Sequence, residues 1–176
     1  VRDSGMPEEA NWNDFFNVDF LLSELNIDSQ ITDLVEIGSG YGTFTIPAAR
    51  LIQGKLYAFD IEDEMIDILN QKIQNKQIDN IRLEKRDILA HSTALPDNSI
   101  DYVMLFNILH HESPMEFVDE AYRILKSNGK IGIIHWRSDI STPRGPDLNI
   151  RPKPEQITTW FDKQRFQVEK QPFIIE

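Results

Sequence analysis

A chain of 176 residues with 40% hydrophobic side chains carries enough apolar material for one sizeable core and is short for two, so a single domain spanning 1–176 is expected. Its 29 acidic against 18 basic side chains give a formal net charge of -11 and a pI near 4.8, a field that repels polyanions and disfavours nucleic acid as a partner. With no cysteine there are no disulfides, thiolate metal centres or thiol nucleophiles, so no metal site is expected; with no apolar run of roughly 18–20 residues and no signal-like start, the expectation is a cytoplasmic protein without membrane contact.

Residues 1–30 read as an N-terminal helical segment. Phe16, Val18, Phe20, Leu21, Leu22 and Leu25 recur at near-helical spacing between Asn13 and Leu25, with Asn13 or Asn17 as cap. Phe15, Phe16 and Phe20, beside Trp12, could wall an acceptor pocket, but at that spacing they are expected in the core. The β-branched run Ile31–Ile37 ends in Gly38-Ser39-Gly40-Tyr41-Gly42, and Phe44–Ile52 then resumes a helical period. The unit repeats as strand Leu56–Phe59, an acidic end at Asp60, and helix Glu62–Gln74. A third strand is expected over Ile81–Ile88, a fourth over Ile100–Phe106, and a helix over Pro114–Leu125, stopped by Ser127-Asn128-Gly129. Lys130–Trp136 is a fifth strand, apolar in its middle as a strand covered on both faces should be. Residues 137–154, rich in proline, fit no element and are read as a substrate-side loop, followed by a helix near Glu155–Phe161 and a strand near Phe166–Val168. This alternation specifies an α/β fold, a doubly wound and mostly parallel sheet with right-handed crossovers.

The segment Glu36-Ile37-Gly38-Ser39-Gly40-Tyr41-Gly42 places a turn with few Cβ atoms at the carboxyl end of a strand, where α/β domains bind adenosine compounds. A dinucleotide fingerprint would need glycine at position 43, where the chain has Thr43. Glu36, just ahead of the turn, repels a pyrophosphate and attracts a cationic amino group. The ligand so described lacks phosphate and carries an ammonium.

Four separated motifs, from Ile31 through Trp136, resemble those of class I S-adenosylmethionine-dependent methyltransferases. Glu36, Gly38, Ser39 and Gly40 match the first motif, which in that family contacts the methionine portion of the cofactor. Asp60 matches the acidic residue that takes the ribose hydroxyls, and Ile61 and Met65 would then flank the adenine. Arg86-Asp87-Ile88 matches the third motif, whose Asp accepts from the adenine amino group. The stretch Pro96–Val103 with Asn107-Ile108-Leu109-His110-His111 resembles the fourth, and Ala121–Lys130 resembles the family's approach to the fifth strand. The resemblance implies S-adenosylmethionine as cofactor and a sheet of seven strands with the last antiparallel; Gln171–Glu176 leave little chain for that strand, so a truncated sheet is expected.

Several residues have a plainer reading. Asp60 and Asp87 are each suited to capping a following helix, and Tyr41 either packs or offers its ring to a sulfonium. His110, His111 and His135 lie at the rim where a methyl acceptor would sit, as candidates for a base, because imidazoles titrate near neutrality. Arg137 and Arg144, with Arg151 and Lys153, make the substrate-side loop locally basic, for contact with an anionic group or simply as a solvated loop.

Methyl transfer from a sulfonium is an in-line displacement that needs alignment and exclusion of water more than a dedicated catalytic group. Because the net charge of -11 disfavours nucleic acid, a small-molecule acceptor is expected; its identity and the oligomeric state are not read from the sequence. Asn107 is followed by Ile108-Leu109-His110 rather than by the Pro-Pro-Tyr of enzymes that methylate amino groups of bases or amides. The alternatives are a nicotinamide-dependent oxidoreductase, against which Thr43 and Glu36 argue, and a non-catalytic S-adenosylmethionine-binding module.

Overall fold

The computed structural model describes residue 9 and residues 16–142, 144–161 and 165–174. Trp12, Asn13 and Phe15, named above, lie outside them.

Helix α1 (Val18–Glu24) starts where Asn17 accepts a hydrogen bond from the Phe20 N–H at 3.2 Å, so of the two cap candidates Asn17 serves. It buries Leu21 and Leu22, while Phe20, expected in the core, is 44% exposed because it falls on the opposite side of this short helix. Strand β1 (Leu34–Ile37) is buried at all four positions and is the centre of the sheet. There follow α2 (Thr45–Leu51), β2 (Leu56–Asp60), α3 (Asp63–Asn75) and β3 (Ile81–Lys85), then α4 (Ile88–His91), β4 (Ile100–Phe106), α5 (Pro114–Ile124), β5 (Leu125–Ile134), a 3-10 turn at Leu148–Ile150 and α6 (Pro154–Trp160).

The sheet order is β3-β2-β1-β4-β5 and every pairing is parallel. The chain winds outward from β1 to β3, then crosses to β4 and winds the other way. Leu21, Leu22, Ile46, Ala48 and Leu69 from α1, α2 and α3 accordingly pack one sheet face, and Phe117, Ala121 and Ile124 from α5 pack the other. The reversal falls between β1 and β4, which opens a crevice at their carboxyl ends; in such sheets that is where ligands bind.

Several elements differ from expectation, among them the first strand, which begins at Leu34 rather than Ile31. The third strand stops at Lys85 rather than Ile88, because Asp87 caps α4 and turns Ile88 into that helix's first residue. Strand β5 begins at Leu125, which pairs with Ile100; the next pair is Tyr102 with Lys130, so 126–129, which include the expected stop Ser127-Asn128-Gly129, bulge out within the strand opposite Asp101. No strand forms at 166–168: Phe166 sets its ring edge-on to Tyr122 of α5 at 5.4 Å and to Phe161 at 5.1 Å, and aromatic packing replaces ladder pairing. Among the described residues the sheet therefore has five strands, without the sixth or the antiparallel seventh. No helix among them is long and apolar enough to cross a membrane.

The stretch 137–154 is irregular apart from its 3-10 turn, and one side chain gathers it. Arg151, 7% exposed, donates from Nε to the Pro146 carbonyl at 2.7 Å, from Nη1 to that of Arg137 at 3.0 Å and from Nη2 to that of Arg144 at 3.2 Å. Its guanidinium also sits 5.7 Å from the Trp136 ring. Arg151 is thus a staple of the loop rather than the exposed basic group its composition suggested.

Candidate functional site

The glycine turn continues the seam between β1 and β2. Gly38 and Ser39 both donate to the Phe59 carbonyl, at 2.8 and 3.0 Å, and Gly42 closes the turn on the Ser39 carbonyl at 3.0 Å. Gly38 has φ +82° and Gly42 φ +79°, left-handed backbone that favours glycine. A Cβ on Gly42 would press on Cδ1 of Leu69, and one on Gly38 would lie 3.0 Å from Cδ1 of Ile108, so those side-chain ends would have to shift. The turn is wedged between α3 and the loop that follows β4.

Two carboxyl groups face it. Asp60 ends β2; its Oδ2 accepts the Gly40 N–H at 2.7 Å and its Oδ1 accepts the Glu62 N–H at 3.0 Å. The second bond is an Asx-type turn ahead of α3, not a cap on the helix's own amides, so the capping alternative is not what Asp60 does. Each oxygen keeps a further lone pair for a ligand hydroxyl. Glu36 is 2% exposed in the middle of β1, and its Oε2 accepts the Thr45 hydroxyl at 2.5 Å. Burial pushes its carboxyl up to about 8; the Thr45 bond works against that rise and the nearby Asp60 adds to it. Thr45 was not singled out from the sequence. Its hydroxyl is visible as a partner only once α2 is laid over β1.

Further along the crevice Ile61 exposes 37% of its surface directly after Asp60, whereas Met65 and Ile88 are buried. Asp87 caps α4, its Oδ1 accepting from Leu89 at 3.0 Å and Ala90 at 3.2 Å, so the structural alternative is realised for this residue and Oδ2 stands outside the cap. Asn107, just past β4 with φ +54°, donates its backbone N–H to Ile134 at 2.7 Å. Its Nδ2 and the Ser39 Oγ are buried polar atoms with no hydrogen-bond partner among the described residues, at two strand ends of one crevice. The Tyr41 ring lies 5.7 Å from Lys72 Nζ, which also donates to the Tyr41 carbonyl at 2.6 Å and pairs with Glu9. A ring already shared with a cation is a poor seat for a sulfonium.

The rim of β4 and β5 carries the histidines. The rings of His110 and His135 meet edge-on, 5.6 Å apart. His135 Nδ1 lies 3.2 Å from the Trp136 carbonyl, which requires the proton on Nδ1 and leaves Nε2 as an acceptor. Burial pulls the His135 pKa down to about 4; the Trp136 carbonyl opposes this, and His110 and Arg151 add to it. His111 shows the opposite tautomer, since its Nδ1 accepts the Ser113 N–H at 3.1 Å. With that lone pair engaged, neutral His111 offers only an N–H, so it is a donor and not a ready base. Beside it a cavity of about 420 Å³ is lined by Leu109, His111, Glu112, Met115, Arg151 and Trp160. Arg137 is held bidentately by Asp139 at 2.9 and 2.8 Å, and Arg144 is exposed; neither lines this cavity.

Residues 35–133 match the family model described as a methyltransferase domain. The chain belongs to that methyltransferase family. An uncharacterized methyltransferase-like protein of Schizosaccharomyces pombe is 30% identical over 130 residues, covering 74% of this chain and 46% of the relative. The demethylmenaquinone methyltransferase of a Geobacillus species is 28% identical over 100 residues, 55% of this chain and 42% of its own. Among solved structures, an S-adenosylmethionine-dependent methyltransferase from Aquifex aeolicus superposes with a TM-score of 0.75 at 20% identity, over 87% of this chain and 80% of that one. The chain spans about half the length of the curated relatives it matches.

S-adenosylmethionine is the cofactor of this methyltransferase class, and the crevice fits it on its own terms. The buried Glu36 has no cation against it among the described salt bridges, the turn beside it excludes Cβ atoms, and Ser39 and Asn107 hold polar atoms in reserve. Glu36 in β1 with Ser39 and Gly40 just after it, Asp60 at the end of β2 with Ile61 after it, and Asn107 just after β4 thus lie along one crevice; Asp87 and Ile88 stand after the edge strand β3.

Proposed function

We propose that the protein transfers the methyl group of S-adenosylmethionine to a small-molecule acceptor. The observation that carries this is the Gly40 N–H on the Asp60 carboxylate at 2.7 Å beside the buried Glu36: a glycine turn flanked by two acidic groups. Glu36 is suited to the ammonium, Asp60 to the ribose hydroxyls, Ile61 and Met65 to the adenine faces, and Ser39 and Asn107 to the remaining polar groups. Asp87 contributes through Oδ2, the oxygen outside its cap, with Ile88 behind it. When bound, the cofactor supplies an activated methyl on sulfur, and the protein has to orient the acceptor and keep water away.

The acceptor side is the cavity under Arg151, walled by Leu109, Met115 and Trp160. His135, on the β4–β5 rim and outside the lining of that cavity, is neutral near pH 7 with a bare Nε2 suited to receive a hydrogen bond; His110 meets its ring edge-on, and His111, which does line the cavity, donates. Arg137 and Arg144 act through the loop's shape rather than by touching the acceptor. The direct test is formation of S-adenosylhomocysteine from S-adenosylmethionine over a panel of hydroxyl, amine and carboxylate metabolites. Acceptor-dependent turnover supports the reading; tight cofactor binding with no turnover on any panel member would favour a non-catalytic binding module.

A further inference from the structure

Glu36 and Thr45 raise a question about charge. In the middle of the central strand, Glu36 is flanked in register by Ala58 of β2 and Met104 of β4, neither of which can neutralise it. From α2 it receives one hydroxyl, that of Thr45, itself fully buried. The charge that acts on it among the described residues is that of Asp60, which is of the same sign. A carboxylate so placed has one hydrogen bond, no cation and an anionic neighbour, so in the absence of a ligand its neutral form is favoured. A cationic ligand group reverses the balance: an ammonium beside the carboxyl stabilises the ionised form directly.

We infer that Thr45 is a positioning residue for the cofactor's ammonium: it orients the Glu36 carboxyl, which its burial keeps protonated while the crevice is free of cofactor and which gives up that proton when the ammonium arrives. This rests on the cofactor assignment above and adds a stoichiometry to it. The proton leaves the Glu36 carboxyl for solvent, and an N–H of the ammonium takes over as donor to the same carboxylate. Thr45 keeps Oε2 occupied, which directs Oε1 to the ligand. Cofactor binding therefore strengthens as pH rises toward about 8, by at most tenfold per unit, and levels off above it.

The experiment is calorimetric titration with S-adenosylhomocysteine, which keeps the ammonium, at pH 7 in phosphate and in Tris. These buffers differ in the heat with which they take up a proton. Release of about 0.9 of a proton is expected, read as a more exothermic signal in Tris and fading above pH 8. In Thr45→Val the Glu36 carboxyl loses the bond that favours its ionised form, so the pH at which release fades moves upward; Thr45→Ser restores it. A purely structural Thr45 would lower stability and leave that midpoint in place. Glu36→Gln should bind more weakly and release no proton. Saturable binding with equal heats in both buffers overturns the inference and leaves the cofactor assignment standing. Failure to bind S-adenosylhomocysteine at all overturns both.

Discussion

Desolvation displaces the protonation of the buried Glu36 and of the partly buried His135 in opposite directions, and each leaves a signature in stability. The folded protein holds the Glu36 proton more tightly than the unfolded chain, because burial raises the pKa from 4.5 to about 8. Its contribution is complete below about 4.5 and is lost as pH rises through about 8. Glu36→Gln should thus stabilise the cofactor-free protein at pH 9 relative to the parent, on the order of a few kcal/mol, in denaturant titrations. His135 runs the other way: with its pKa lowered from 6.5 to about 4, its contribution is complete above about 6.5 and is lost as pH falls toward 4. Replacement by Gln should flatten that acid limb by about 2–3 kcal/mol, and an unchanged limb would mean that the ring is not desolvated in solution. Asp60→Ala removes acceptors from the Gly40 and Glu62 amides. It should cost about 1–2 kcal/mol of stability and at least about tenfold in S-adenosylhomocysteine affinity, with circular dichroism unchanged. At this scale the sequence was informative for placement: Glu36 falls within β1, Asp60 at the end of β2 and Asn107 just after β4. It was silent on Thr45, whose partner is nine positions away, and on the tautomers of His111 and His135, which depend on backbone groups.

At the scale of elements, the glycine turn and the Arg151 loop are the two features that shape the site. Gly42→Ala would press a Cβ on Leu69 in left-handed backbone, so a loss of about 1–3 kcal/mol is expected in thermal unfolding, together with weaker cofactor binding. Arg151 spreads its donors over four loop carbonyls, those of Arg137, Ile140, Arg144 and Pro146, a geometry that Lys cannot reproduce. Both Arg151→Lys and Arg151→Met should raise amide hydrogen exchange at 137–146 by at least about tenfold while leaving β1–β4 protected; equal protection in either variant would show that the loop is held by other contacts. The strands and helices of the first two repeats were legible because each alternates a short apolar run with a helical period. The ends of the third and fifth strands were not. Asp87 diverted the chain into α4, and the bulge at 126–129 let pairing begin before the apparent stop. The 137–154 stretch shows no period at all, since its order comes from one buried guanidinium.

The molecule as a whole joins an acidic surface to an acidic crevice. A net charge of -11 and two carboxyl groups at the glycine turn favour a ligand that brings positive charge and no phosphate, and disfavour dinucleotides on the same fold. The doubly wound architecture was legible from the alternation of elements, because right-handed crossovers leave few ways to arrange them. The far edge of the sheet was not, because aromatic packing of Phe166 on Tyr122 competes with strand pairing and periodicity does not report on it. The acceptor likewise depends on how 137–154 and α6 wall one cavity, a property of the assembled chain. The most direct measurement of the central claim is a titration of the protein with S-adenosylhomocysteine, with NADH as a parallel ligand. Saturable binding of S-adenosylhomocysteine at one site, with none for NADH, is the result expected; preference for NADH, or no binding of S-adenosylhomocysteine, would contradict the account.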